Sequence, residues 1–222
     1  MSAETTLREP SSARAERSCP ACGQPLYGWI VVGSVDRRER ERYVVDRCEE
    51  CGLGVTRGAP DPIAVFESAR TSLESGGEIE MRFANRASLQ AGIGGDRWAA
   101  LELPTQRIHP TPRSLTLLLE RHGLESVGMR HPPFGRNQVW MWQTLLNGFT
   151  FHQNFARDVL RRRLTPRTAR GRLAFAIDAM VTTLAALPLA VIAAPLEIFA
   201  SLLRRGGELV VTVAPASRGR RA

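Results

Sequence analysis

The sequence predicts an α/β protein with a four-cysteine zinc ribbon near its start and an apolar helical hairpin near its end. Three observations carry this. The chain's four cysteines form two knuckles, Cys19-Pro-Ala-Cys22-Gly and Cys48-Glu-Glu-Cys51-Gly. Behind them, strand-like and helix-like segments alternate, bounded by proline and glycine stop signals. Late in the chain, 18 residues from Ala179 to Leu196 carry no charge, close to the length that spans a hydrocarbon core.

The ribbon is expected over 18–58. Two CxxC pairs separated by about 25 residues have the ligand spacing of a tetrahedral four-thiolate zinc site. Cys19, Cys22, Cys48 and Cys51 are therefore the candidate metal ligands. Two intervening residues let a tight turn aim both sulfurs at one point, and the glycine after each pair turns the backbone under the metal without a Cβ clash. Leu26–Val32 and Tyr43–Val45 read as strands flanking the polar turn Asp36-Arg-Arg-Glu-Arg-Glu41. Disulfides or redox thiols are the competing readings. A secreted disulfide framework calls for a leader, and Met1-Ser-Ala-Glu-Thr-Thr lacks an apolar core. Four thiolates leave no open coordination position, so the metal is expected to be structural.

Residues 1–17 read as a disordered polar tail. Asp61 is the expected N-cap of a helix with Pro62 at its first position, running to Glu74 and stopping at Gly76-Gly77. Glu78–Phe83 alternates as a strand, and Gly92-Ile-Gly-Gly95 reads as a loop. Thr111 to Gly123 carries a capping threonine, an N1 proline and a terminal glycine, the punctuation of a helix. Glu125–Arg130 is a short strand. Trp140–Arg163 is an amphipathic helix with Trp142, Leu145, Leu146 and Phe149 on one side. Over 172–204, Pro188 and Pro195 interrupt the apolar run, so it reads as two short helices meeting near Pro188. Glu208–Val213 is a strand, and 215–222 a basic tail.

The chain has 222 residues and a formal charge of +8. All 30 basic residues are arginine, a bias that reads as genome composition and is discounted as a nucleic-acid signal. Their clustering carries more. Arg157, Arg161, Arg162, Arg163, Arg167, Arg170 and Arg172 precede the apolar segment and Arg204-Arg205 close it. Arginines bracketing an apolar segment point first to anionic lipid headgroups. A nucleic-acid groove ranks behind, because no stacking aromatics are interleaved with them.

From about Leu73 to Ala214 the chain resembles the C-terminal half of a class I S-adenosylmethionine-dependent methyltransferase of the zinc-ribbon-bearing bacterial type. The residues that carry this are Ser75-Gly-Gly-Glu-Ile-Glu-Met-Arg-Phe-Ala-Asn85, Leu101-Glu-Leu-Pro104, His109-Pro-Thr-Pro-Arg-Ser-Leu115, Asn137-Gln-Val-Trp-Met-Trp-Gln-Thr-Leu-Leu-Asn147 and Arg205-Gly-Gly-Glu-Leu-Val-Val211. The resemblance implies that 61–214 is a truncated Rossmann-like half. It would hold a three-stranded mixed sheet carrying helices, with Glu208–Val213 between Glu78–Phe83 and Glu125–Arg130. It also implies a weak catalytic or acceptor-binding candidate, His109. The cofactor half is missing, since about 20 residues between ribbon and sheet cannot hold strands and crossovers of about 30 residues each. The isolated chain is therefore expected not to bind S-adenosylmethionine. The Glu78–Phe83 strand would leave an edge for the ribbon, another copy or a separate protein to cover.

His122 falls in a last helical turn, where a cation suits the dipole, and His131 reads as a loop residue. The expected function is a membrane-associated zinc-ribbon protein, inactive alone as a methyltransferase and accessory to envelope glycan or lipid metabolism. The alternatives are a methyltransferase completed by a partner that supplies the cofactor half, and a zinc-ribbon nucleic-acid binder. The apolar hairpin is expected to enter the cytoplasmic face of the cell membrane and return. The alternative is a soluble cytoplasmic protein with the hairpin packed on its sheet.

Overall fold

The computed structural model describes residues 17–33, 42–58, 63–74, 76–103, 106–166 and 168–216. Both predicted tails, save residues 17, 215 and 216, the polar turn at 36–41 and the Asp61-Pro62 helix start lie outside them. Among the described residues the chain forms two antiparallel sheets and six α-helices.

The first sheet joins β1 (Leu26–Gly33), β2 (Arg42–Cys48), β3 (Gly54–Thr56) and β5 (Ile108–His109) in that order. The β1–β2 register shifts between Gly28 and Ile30, a bulge at Trp29. The second sheet has the order β4-β7-β6, from Ile79–Ala84, Glu208–Pro215 and Leu124–Arg130. The last strand does lie between the other two, as expected, but it runs antiparallel to both. The sheet is therefore antiparallel rather than mixed. A parallel pair would need another neighbour beside β4, and no strand stands there among the described residues.

The helices are α1 (Ala64–Ser72), α2 (Leu89–Gly94), α3 (Pro112–Arg121), α4 (Arg136–Asn147), α5 (Phe155–Leu160) and α6 (Ala169–Leu202). α3 forms where its punctuation predicts, with Thr111 accepting from the Ser114 backbone and Ser114 reciprocating as a capping box. Its Leu115, Leu118 and Leu119 pack with Phe66, Met81, Phe83, Leu209, Val211 and Val213. The same cluster contains Cys19, Cys48, Cys51 and Leu53, so the two sheets share one core.

Three expectations give way here. Gly92–Gly95 is largely helical, because Ser88 accepts from Ala91 N and caps α2. A Cβ on Gly94 would lie 2.6 Å from Thr144 Cγ2, so glycine is what lets α2 approach α4. The predicted helix at 140–163 is two helices broken after Asn147. There the Arg97 guanidinium binds the carbonyl oxygens of Asn147 and Thr150, which would otherwise end the helix unpaired. Phe149 falls in the break and is exposed.

The third correction is the largest. The apolar hairpin is one continuous helix, α6, of 34 residues with both prolines inside it. Each proline removes one backbone hydrogen bond, but α4 lies alongside and the Trp142 indole N–H donates to the Ala186 carbonyl at 2.8 Å. Tertiary support overrides the break.

Candidate metal centre

The two knuckles are built alike. Gly23 N donates to Cys19 O and Gly52 N to Cys48 O, while Cys19 N reaches Gln24 O and Cys48 N reaches Leu53 O. Both glycines hold positive φ, +81° and +76°, as a turn under a metal requires. At Gly52 a Cβ would also meet Thr111 Cγ2 at 2.9 Å.

All four predicted cysteines meet, their sulfurs lying within 4.8 Å of one another. Cys19 and Cys51 Sγ are 3.5 Å apart, and Cys22 and Cys48 Sγ 3.4 Å. A tetrahedron with Zn–S of about 2.3 Å has S–S edges of about 3.8 Å, so the donors are spaced to hold one such ion. Burial pushes the Cys51 and Cys19 thiols up. Burial raises Cys48 too, but N–H groups of Cys51 and Glu50 and the Cys22 side chain together draw it below its ordinary value. Only a cation's charge lets four such groups be thiolates together.

Neighbouring elements fix the knuckles. Thr111 Oγ1 donates to Cys51 O at 2.8 Å, and Arg121 to Pro20 O at 2.9 Å. Arg86 donates to Gly52 O at 2.8 Å while its guanidinium stacks 4.1 Å from the Trp29 ring centroid. Burial and the nearby Arg47 bring Arg86 down to about 10, and Cys51 opposes them. This outer layer had no signal in the sequence.

Comparison with known protein families, curated proteins and solved structures finds no match to this chain.

His109 lies apart from the metal ligands, on β5 opposite Gly54. It is fully buried, its ring edge-on to Trp98 with centroids 6.3 Å apart. Thr56 Oγ1 donates to Gln106 O, so His109 Nε2, 3.4 Å away, is the donor to Thr56 and Nδ1 is left unprotonated and unpartnered. Burial, with Arg86 nearby, lowers its pKa to about 3. It is a neutral packing residue that ties β5 to the knuckle sheet. His122 stacks on Phe66 at the end of α3. His131 is half-buried beside Gly206, and burial lowers its pKa.

The second feature is α6, the one described helix long and apolar enough to cross a membrane; only 6% of its most apolar stretch is buried. One side is held by protein. Asp178 accepts from the backbone N–H groups of Phe151 and His152. Glu197 accepts from Gln90, Asn137 and Gly207 N. Burial raises Glu197, against the pull of these three donors. Ser201 Oγ donates to Pro132 O. The opposite side is a stripe of exposed Leu173, Met180, Leu184, Leu187, Val191 and Leu202, about 44 Å long. A lone acid inside an apolar run was the sequence signal for Asp178 and Glu197.

Proposed function

We propose that this chain is a zinc-ribbon protein lying on the cytoplasmic face of a membrane, with a truncated methyltransferase-like half serving as its scaffold. Its role is accessory to an enzyme of envelope glycan or lipid metabolism, a substrate class that rests on the resemblance alone. The observation that carries the membrane reading is the two-sidedness of α6. Protein anchors from Asp178 to Ser201 extend about 35 Å along it, longer than the hydrocarbon core of about 30 Å. No core-length stretch is free to face lipid all round, so α6 lies in the interface with its stripe down. Exposed arginines at both ends, Arg161, Arg162, Arg163, Arg170 and Arg172 at one and Arg204 and Arg205 at the other, suit an anionic cytoplasmic leaflet. The thiolate tetrahedron selects zinc over harder cations.

Flotation of the full chain with anionic vesicles tests this. The expected result is co-flotation that alkaline carbonate reverses. Carbonate-resistant insertion would mean a span, and no flotation would remove the membrane reading. Metal analysis of the purified chain is expected to return one zinc per chain.

A second reading is favoured by the β4 edge, which pairs with no strand among the described residues. A partner that adds a strand there and supplies the cofactor half would make a complete methyltransferase. Methyl transfer by a reconstituted pair, absent from either chain alone, is its test.

A further inference from the structure

At the start of α6 an open pocket of about 410 Å³ is lined by Phe151, His152, Thr168, Arg170, Leu173 and Ile177, among others. Its polar end is built around a fixed imidazole. His152 Nδ1 lies 2.5 Å from Asp178 Oδ2, and the same carboxylate accepts from the backbone N–H groups of Phe151 at 2.7 Å and His152 at 3.0 Å. The Asp178 side chain is wholly buried and fully occupied by these bonds. The carboxylate takes up Nδ1 and fixes the ring's orientation, so Nε2 is the ring nitrogen left to meet a ligand. Nε2 makes no hydrogen bond among the described residues. Arg170 lines the same pocket and makes no ion pair among them.

The remaining wall is apolar, and it belongs to the lipid-facing side. Leu173 is both a pocket residue and the first residue of the exposed stripe, and Phe151 stands exposed beside it. A ligand bound here meets cationic and imidazole donors at one end and an aliphatic path continuous with the membrane face at the other. We propose that this pocket binds the phosphate of an anionic lipid, with Arg170 and His152 on the phosphate oxygens and the acyl chains along Leu173 and Ile177. Arg suits phosphate because its planar fork can donate two parallel bonds. The proposal rests on the interfacial reading of α6 and adds to it a single stoichiometric lipid site.

The test uses the full chain and soluble probes, so it does not depend on vesicle binding. Dihexanoyl phosphatidylglycerol below its micellar concentration, inorganic phosphate and dihexanoylglycerol are titrated separately by calorimetry. The expected result is saturable one-to-one binding of the phospholipid, with both other probes at least about tenfold weaker. Arg170→Ala and His152→Gln are each expected to weaken phospholipid binding about tenfold, the worth of one charge-assisted hydrogen bond. Equal affinity for inorganic phosphate would overturn the lipid assignment. Phospholipid binding that is absent, or unchanged in Arg170→Ala, whose side chain is exposed and not needed for folding, would overturn the site. Loss of flotation in the wild-type chain with soluble phospholipid binding intact would instead fault only the interfacial reading.

Discussion

Replacing Leu184, Leu187 and Val191 with serine tests the interfacial reading of α6 at its centre. These side chains keep 71%, 75% and 67% of their surface exposed, so the folded protein gains little from them. Moving such a side chain fully from water into an apolar phase is worth about 2 kcal/mol, and with roughly 70% of each surface still to be buried the yield is about 1.4 kcal/mol apiece. The triple variant therefore loses about 4 kcal/mol of partitioning, a drop in vesicle affinity of about a thousandfold. The thermal midpoint should move only slightly, because exposed substitutions cost within about 0.5 kcal/mol each. Binding isotherms on anionic vesicles, measured at low and high salt, give the readout. High salt screens the arginine attraction but leaves the apolar contribution, so the gap between wild type and variant should persist at high salt. Unchanged affinity in the triple variant would refute the reasoning. So would a wild-type dimer that the three serines convert to a monomer while vesicle binding stays constant, since the stripe would then face a second copy.

The remaining expectations are more local. Cys48→Ser should abolish stoichiometric zinc binding and unfold the knuckle sheet, read by metal analysis and loss of amide protection over β1–β3, since binding free energy at such a site is largely folding free energy. Gly207→Ala would drive a methyl into the Gln90 amide; a loss of about 3 kcal/mol by denaturant titration is expected, and full stability would show that the latch around Glu197 is loose. His109, held neutral with a pKa of about 3 against an ordinary 6.5, is protonated in the unfolded chain before the folded one. Its contribution is present above about pH 6.5 and lost as pH falls, about 2 kcal/mol by pH 5. His109→Gln should therefore remove about that much of the acid sensitivity, measured as the change in unfolding free energy between pH 7 and pH 5 in both proteins.

What the sequence made legible was local. Cysteine spacing and the glycines after it specify the knuckles because ligand geometry is decided within five residues, and Gly23 and Gly52 both take the positive φ that spacing implied. α3 was legible for the same reason, its cap, proline and terminal glycine all lying in one short segment. The errors came where distant residues decide. Pro188 argues for a break in any isolated helix, yet Trp142, 46 residues earlier, braces the backbone at Ala186. Glycines at 92, 94 and 95 argue for a loop, yet α4 needs the space that Gly94 leaves. His109 sits on β5, a two-residue strand with no periodicity to read, so nothing local foretold its burial beside β3.

Among the described residues, the α6 stripe and the outer edge of β4 require different covers. The stripe on α6 exposes aliphatic carbon, which lipid can take up without any directional bond. The outer edge of β4 exposes backbone N–H and C=O groups, which lipid cannot satisfy. Water or another polypeptide must serve there, so a membrane cannot be the sole partner of this fold if that edge is buried in use. The two sites are mechanically linked. β7 pairs with β4 along Ile79–Ala84 and continues directly from α6 through the Arg204–Gly207 turn, which Glu197 and Gln90 clamp from within α6 and α2. A protein that adds a strand to β4 would thus be held at a fixed height and angle above the lipid surface. The knuckles, bound to α3 through Thr111 and Arg121, stiffen the same core from the other side. The accessory role proposed above would draw on that combination: a sheet edge presented rigidly, on a body that a bilayer would orient.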